Sequence, residues 1–166
     1  METPQKALVL YYSRTGNCRA VAHAIGETLH CPVQEIKDLK NRAGLWGFIS
    51  GMIDIRKRPI TDIEPKAVDL SPYDTIYLGS PIWGMRFAPA ITTVLEGFDF
   101  NGKRIVLFAV VAGKFKQAKL DAYGQSLSEK VAQLVGAFVL KTMKKTCVQL
   151  KQEASKALED ISFMKS

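Results

Sequence analysis

Apolar runs along the chain alternate with stretches in which apolar residues recur at helical spacing. Near-continuous apolar runs occupy Lys6 to Tyr12, Asp74 to Gly79 and Arg104 to Val111. This pattern is typical of strands buried on both faces of a parallel sheet. Pro32 to Ile36 is a weaker strand candidate, and Ala137 to Met143 is predicted to be the fifth strand.

Helically spaced segments separate these strands. They are Asn17 to Leu29, Pro89 to Glu96, Lys119 to Val135 and Cys147 to Phe163. Pro89 suits a first helical turn, where its missing N–H does no harm. Such alternation predicts an α/β fold built on a doubly wound parallel sheet with right-handed crossovers.

One segment, Lys37 to Pro65, interrupts the alternation. A connection of this length without structure of its own would be unusual in a compact domain. Its crowded apolar residues predict a helix around Leu45 to Ile55, lying across the sheet edge or beside a ligand pocket. We favour packing as its role over partner binding, unless Trp46 and Phe48 are exposed.

Length and composition indicate an ordinary globular protein. The 166 residues, 47% of them hydrophobic, suit a single domain over residues 1–166. The start, Met1 to Lys6, is polar, and no apolar stretch approaches the roughly 20 residues of a membrane helix, so we expect a cytoplasmic protein with no membrane span. Three cysteines without CxxC spacing suggest neither a disulfide framework nor a metal site.

The formal charge of +7 narrows the possible partners. It favours an anionic ligand, an acidic protein or loose nucleic-acid association. The basic clusters are short and lie apart in the sequence, without interleaved aromatic residues. We therefore expect solvated basic faces and no nucleic-acid groove.

The octapeptide YYSRTGNC, residues 11–18, lies between the first predicted strand and helix. A helix N-terminus offers unpaired N–H groups and a positive dipole end, which suit a phosphate. Gly16 would allow close backbone approach, and Ser13, Thr15 and Asn17 could donate hydrogen bonds. These three side chains could equally just cap the helix. Neither GxxxxGK[ST] nor GxGxxG occurs, which leaves a mononucleotide as the preferred ligand.

Three separated segments carry a family resemblance. LVLYYSRTGNCRAVA, YDTIYLGSPIWG and NGKRIVLFAV occur in this order between Leu8 and Val111. Together they resemble the flavodoxin family, in particular short flavodoxin-like proteins with a G-[ST]-P-x-W second loop. The resemblance implies a five-stranded sheet of order 2-1-3-4-5, with helices on both faces, that binds FMN noncovalently.

The same resemblance implies the site residues. It assigns the phosphate to the first loop, residues 13–18, and the flavin ring to the second loop, residues 81–84. The loop after the fourth strand, residues 112–114, would cover the other side of the ring, and Phe115 is a further candidate for that cover. Trp83 falls where flavodoxins commonly have a stacking aromatic residue. The implied residues are, in chain order, Ser13, Arg14, Thr15, Gly16, Asn17, Cys18, Pro81, Ile82, Trp83, Gly84, Ala112, Gly113 and Lys114.

Two departures from the family pattern affect the interpretation. Cys18 stands where the family often has threonine, which removes a hydroxyl donor, and a reactive thiolate there would compete with phosphate. Flavodoxins that carry electrons are typically acidic, whereas this chain has a pI near 9.4. If it carries electrons, its partner should have an acidic surface.

Three functions remain open from the sequence. The first is an FMN-binding carrier between a reductase and an acceptor, in which no side chain acts as acid or base. The second is an FMN-dependent oxidoreductase that uses NAD(P)H or quinol to reduce a small quinone-like acceptor, with Arg86 or Lys114 attracting anionic groups. The third is a cofactor-free interaction module that uses the region of Trp46 and Phe48.

Overall fold

The computed structural model describes residues 6–40, 60–83, 86–128 and 133–163. Strands and helices alternate through most of this chain, in agreement with the sequence pattern. Their bounds, in chain order, are β1 Ala7–Tyr11, α1 Asn17–Leu29, β2 Val33–Glu35, β3 Lys37–Asp38, β4 Ile63–Glu64, β5 Thr75–Trp83, β6 Arg86–Phe87, α2 Pro89–Gly97, β7 Arg104–Val111, α3 Gln117–Ser128, β8 Gln133–Lys141 and α4 Cys147–Phe163. Across these described ranges, no helix has both the length and the apolar character needed to cross a lipid bilayer.

A parallel sheet organises the molecule. Its strands lie in the order β2-β1-β5-β7-β8, and every neighbouring pair along this path is parallel. This order confirms the predicted 2-1-3-4-5 arrangement. Because the chain leaves β1 toward one side of the sheet and later returns to its other side, β1 and β5 flank the point at which the connection order reverses.

Side chains of the sheet alternate between two buried clusters, one on each face. In β1, Leu8 and Leu10 join the cluster covered by α2 and α3, whereas Val9 and Tyr11 join the one covered by α1 and α4. Both faces are therefore apolar, which explains why the strands appear as continuous apolar runs and not as alternating ones. The predicted placement of helices on both faces is confirmed.

The segment that interrupts the alternation is described only at its two ends. There β3 and β4 form an antiparallel ladder in which Lys37 pairs with Glu64 and Asp38 with Ile63. Thr61 extends this contact, because its hydroxyl donates to the Asp38 carboxylate at 2.8 Å. The helix predicted around Leu45 to Ile55, with Trp46 and Phe48, lies outside the described residues.

Two predicted elements have wrong boundaries. The helix predicted for Lys119 to Val135 is instead α3, Gln117–Ser128, and the strand predicted for Ala137 to Met143 is β8, Gln133–Lys141. Leu134 is opposite Ile105 of β7, and a register irregularity follows before Gly136 pairs with Val106. Pairing with β7 thus overrides the apparent helical spacing of the apolar residues at this point.

Candidate cofactor site

A cleft of about 190 Å³ opens at the carboxyl edge of the sheet, where β1 and β5 end. The first loop forms one wall, the end of β5 forms another, and the ends of β7 and β8 complete it. The lining residues are Ser13, Arg14, Thr15, Asn17, Cys18, Pro81, Ile82, Trp83, Val110, Ala112 and Thr142. The topology therefore brings together three of the regions that the sequence singled out.

The first loop turns sharply into α1. Gly16 is the N-cap residue and has φ 90°, a left-handed conformation that side-chain-bearing residues rarely adopt. Its N–H donates to the Ser13 hydroxyl at 3.1 Å, which closes the turn. The N-cap makes no side-chain capping hydrogen bond. This geometry does not support the alternative in which Ser13, Thr15 and Asn17 serve only as helix caps.

The first turn of α1 supplies the electropositive wall of the cleft. The first amides of a helix have no carbonyl partner within the helix, and the helix dipole is positive at that end. Asn17 and Cys18, the first two residues of α1, both line the cleft. Together with the hydroxyls of Ser13 and Thr15, this wall can accept an anionic group such as a phosphate.

Trp83 forms the opposite wall. It is half-buried at the end of β5, where Tyr12 meets its ring edge-on with centroids 5.8 Å apart and planes at 83°. The guanidinium carbon of Arg14 lies over the ring, 5.9 Å from its centroid. The first loop and the ring of Trp83 therefore touch across the cleft.

A short hairpin holds Trp83 in place. β5 continues beyond the predicted strand end at Gly79, and its last residues pair with β6, Trp83 opposite Arg86 and Ile82 opposite Phe87. The buried Ser80 hydroxyl accepts from the Ala88 N–H at 2.9 Å and donates to the Pro81 carbonyl at 2.8 Å. The segment expected to be a loop is thus partly a strand, fixed to the start of α2.

Cys18 is buried beneath the first loop. Burial raises the pKa of its thiol far above the usual range, and the negative charge of nearby Glu35 raises it further. Glu35 itself accepts a hydrogen bond from Arg19 at 2.7 Å. Because the neutral thiol is favoured, Cys18 adds no negative charge to the wall formed by the first turn of α1, and no thiolate competes there with a phosphate.

The structure places most of the predicted site residues together. Gly16 shapes the first loop without lining the cleft, and Ala112 lines it from the end of β7. Gly113 and Lys114 follow in the same loop but are not among the lining residues, and Phe115 is buried in the core. Gly84 lies outside the described residues.

Two lining residues were missed from the sequence. Val110 lies near the carboxyl end of β7, and Thr142 follows β8, where its N–H donates to the Val111 carbonyl at 2.9 Å. Neither belongs to a motif. The general rule that ligands bind beyond the carboxyl ends of parallel strands would have pointed to both, once the strand order was known.

Comparison with known proteins gives one family. The sequence model of the family described as flavodoxin matches residues 6–152. A curated relative, the flavodoxin-like domain-containing protein BilS of Clostridioides difficile, is 26% identical over 130 residues, which are 78% of this chain and 58% of that protein. The chain thus spans less than two thirds of the length of this relative.

Solved structures show the same fold. A putative flavoprotein from Bacteroides uniformis has a TM-score of 0.75 and 24% identity, covering 90% of this chain and 97% of that one. A flavoprotein from Lactobacillus acidophilus, solved in complex with FMN, has a TM-score of 0.68 and 22% identity, covering 81% of this chain and 93% of that one. A putative flavoprotein from Bacteroides eggerthii has a TM-score of 0.73 and 21% identity, covering 95% and 98%.

Proposed function

The chain belongs to the flavodoxin family, and from that premise we propose that it is an FMN-dependent carrier that passes electrons from a reductase to an acceptor. The observation that carries this proposal is the cleft at the switch point between β1 and β5, with an anion-binding wall on one side and Trp83 on the other. Flavodoxins hold FMN at the corresponding point of the sheet. FMN is the cofactor indicated by the family and by the FMN complex of the Lactobacillus acidophilus flavoprotein.

Each wall matches one part of FMN. The amides at the start of α1 and the hydroxyls of Ser13 and Thr15 suit the phosphate. The half-buried ring of Trp83, together with Pro81 and Ile82, offers the apolar surface on which a planar ring gains stacking and burial. We assign these residues to cofactor binding, with Ala112, Val110 and Thr142 completing the cleft.

The cleft favours a carrier over an enzyme with its own proton-transfer residues. FMN supplies the electron chemistry when bound, and the protein contributes binding and electrostatics. Among the described residues that line the cleft there is no histidine, aspartate or glutamate. Cys18, whose pKa is raised by burial, stays protonated at neutral pH. The lining therefore offers no side chain suited to general acid or base catalysis.

We propose further that the partner presents an acidic surface. Four segments at the carboxyl edge of the sheet, residues 12–16, 86–88, 112–116 and 142–146, contain no acidic residue, whereas the segment that follows β2 at the same edge contains Asp38. We call their cations the basic rim, namely Arg14, Arg86, Lys114, Lys116, Lys144 and Lys145. Lys145 is paired with Glu153 at 2.6 Å. A positive edge near the cleft would steer an acidic protein, or an anionic acceptor, toward the cofactor.

The cytoplasmic location expected from the sequence remains a prediction.

Anaerobic mixing experiments test the proposed function. The purified protein, supplied with FMN, is expected to bind it and turn yellow. Rapid mixing with NADH or NADPH alone should leave the flavin oxidised, and addition of a flavodoxin reductase should bleach it, because a carrier depends on a separate donor. Direct bleaching by NAD(P)H would instead make the protein an oxidoreductase. Failure to bind added FMN would favour the cofactor-free interaction module.

A further inference from the structure

We propose that Arg14 sets the redox balance of this site by favouring the anionic, two-electron-reduced form of FMN over the neutral oxidised form. The inference rests on the proposed FMN function and goes beyond it, because it assigns the Arg14 side chain to the flavin ring and not to the phosphate. The oxidised ring is neutral. Uptake of two electrons and one proton leaves it with one negative charge, which a nearby cation stabilises.

The position of Arg14 is the first support. Although it belongs to the first loop, its guanidinium carbon lies over the Trp83 ring, 5.9 Å from the centroid. That distance is within the range of a cation–π interaction. Tyr12 supports the same ring edge-on. The charge of Arg14 is therefore held at the aromatic wall, which is the part of the cleft suited to the flavin ring.

The charges of the cleft are the second support. Among the described residues that line it, Arg14 alone has a permanently charged side chain. Glu35, whose charge acts on Cys18 in the first turn of α1, is engaged by Arg19 at 2.7 Å. The basic rim adds positive charge at the same edge of the sheet. The described lining residues include no carboxylate, and a positive charge at Arg14 favours negative charge that develops in the cleft.

The expected effect is moderate because Arg14 is exposed and solvent screens its charge. We expect removal of the charge to weaken binding of reduced FMN relative to oxidised FMN by roughly tenfold. For a two-electron couple, a tenfold change corresponds to a fall of about 30 mV in midpoint potential. A contact with the phosphate would behave differently. It would change the affinity for both forms equally and cancel from the potential.

The experiment compares Arg14→Gln with two other variants of the FMN-loaded protein. Arg14→Lys retains the charge, and Lys156→Gln removes one charge from an exposed position on α4. Midpoint potentials are measured by anaerobic titration with dithionite and mediator dyes, and dissociation constants for oxidised FMN by fluorescence. Arg14→Gln should lower the potential by about 30 mV. Arg14→Lys should retain most of the wild-type value, and Lys156→Gln should match it.

Three results would overturn the inference. The first is an Arg14→Gln potential equal to the wild-type value, with or without a loss of FMN affinity. The second is an equal fall in Lys156→Gln, which would indicate a general charge effect. The third is a wild-type protein that binds no FMN, which would remove the proposed function as well. The first two leave the proposed function standing, so the two failures can be told apart.

Discussion

At the scale of single residues, Gly16 shows how a local conformation makes the candidate site. No atom lies within 4 Å of the position that a Cβ would occupy there, so crowding does not require glycine. The φ of 90° does, because side-chain-bearing residues are strained in that region. The turn closed by Ser13 then directs the chain into α1 with its first amides at the cleft.

Trp83 provides the residue-scale prediction. Trp83→Ala should weaken FMN binding by about 1 kcal/mol or more, roughly fivefold in Kd, because the flavin ring loses a stacking surface. Fluorescence titration of the apoprotein with FMN measures this change. Trp83→Phe is the matched control, since it keeps an aromatic face, and it should retain most of the affinity. Equal affinities for wild type and Trp83→Ala would remove Trp83 from the ring site.

At the scale of elements, α4 shows a good match between sequence and structure. The predicted helix Cys147 to Phe163 has the bounds observed. Leu150, Ala154 and Leu158 recur every four residues and are buried against the same face of the sheet as α1. A long amphipathic helix of this kind is specified by its own periodicity, which is a local property of the sequence.

The packing of α4 yields the element-scale prediction. Leu150→Ala should lower the free energy of unfolding by about 2–5 kcal/mol, because Leu150 is only 1% exposed and its truncation leaves a cavity. Val148 lies two positions earlier in the same helix and is 64% exposed. Val148→Ala should therefore change stability by no more than about 0.5 kcal/mol. Urea unfolding followed by circular dichroism measures both, and similar losses in the two variants would contradict the packing described.

β8 shows where local pattern is insufficient. The apolar residues Leu134 and Val135 suit both a helix and a buried strand, and periodicity cannot separate the two over a short stretch. Pairing of Leu134 with Ile105 decides for the strand. Gly136 fits closely beneath α4, where a Cβ would meet Ile161 at 3.0 Å. Both contacts join residues far apart in the chain, so the sequence alone did not predict them.

At the scale of the whole molecule, charge is distributed unevenly between the two edges of the sheet. The basic rim lies at the same carboxyl edge as the cleft, and all four helices begin at that edge, with the positive ends of their dipoles there. Asp69, Asp74 and Asp99 lie at the opposite edge. A net charge alone predicts only that some anionic partner is favoured. The fold adds that the partner would meet the edge carrying the cofactor site.

Small oxidants of opposite charge test this arrangement. The reduced FMN protein should be reoxidised faster by ferricyanide, an anion, as salt is lowered, and more slowly by hexaamminecobalt(III), a cation. Stopped-flow absorbance follows both reactions. The double variant Lys114→Gln and Lys116→Gln should weaken both salt dependences. Lys6→Gln with Lys103→Gln removes the same charge next to the amino ends of β1 and β7 and should leave them unchanged; an equal effect would contradict steering by the basic rim.

The sequence by itself determined the alternation of strands and helices, and it predicted a phosphate site at the turn from Ser13 to Cys18. Both depend on periodicity and backbone conformation among neighbouring residues, which are local properties, whereas Trp83 was suggested by the family resemblance. Only the tertiary structure decided that Val110 and Thr142 complete the cleft, that β8 begins at Gln133, and that Arg14 lies on the Trp83 ring. Those outcomes depend on which strands become neighbours, because the parallel sheet brings the ends of distant segments to one edge.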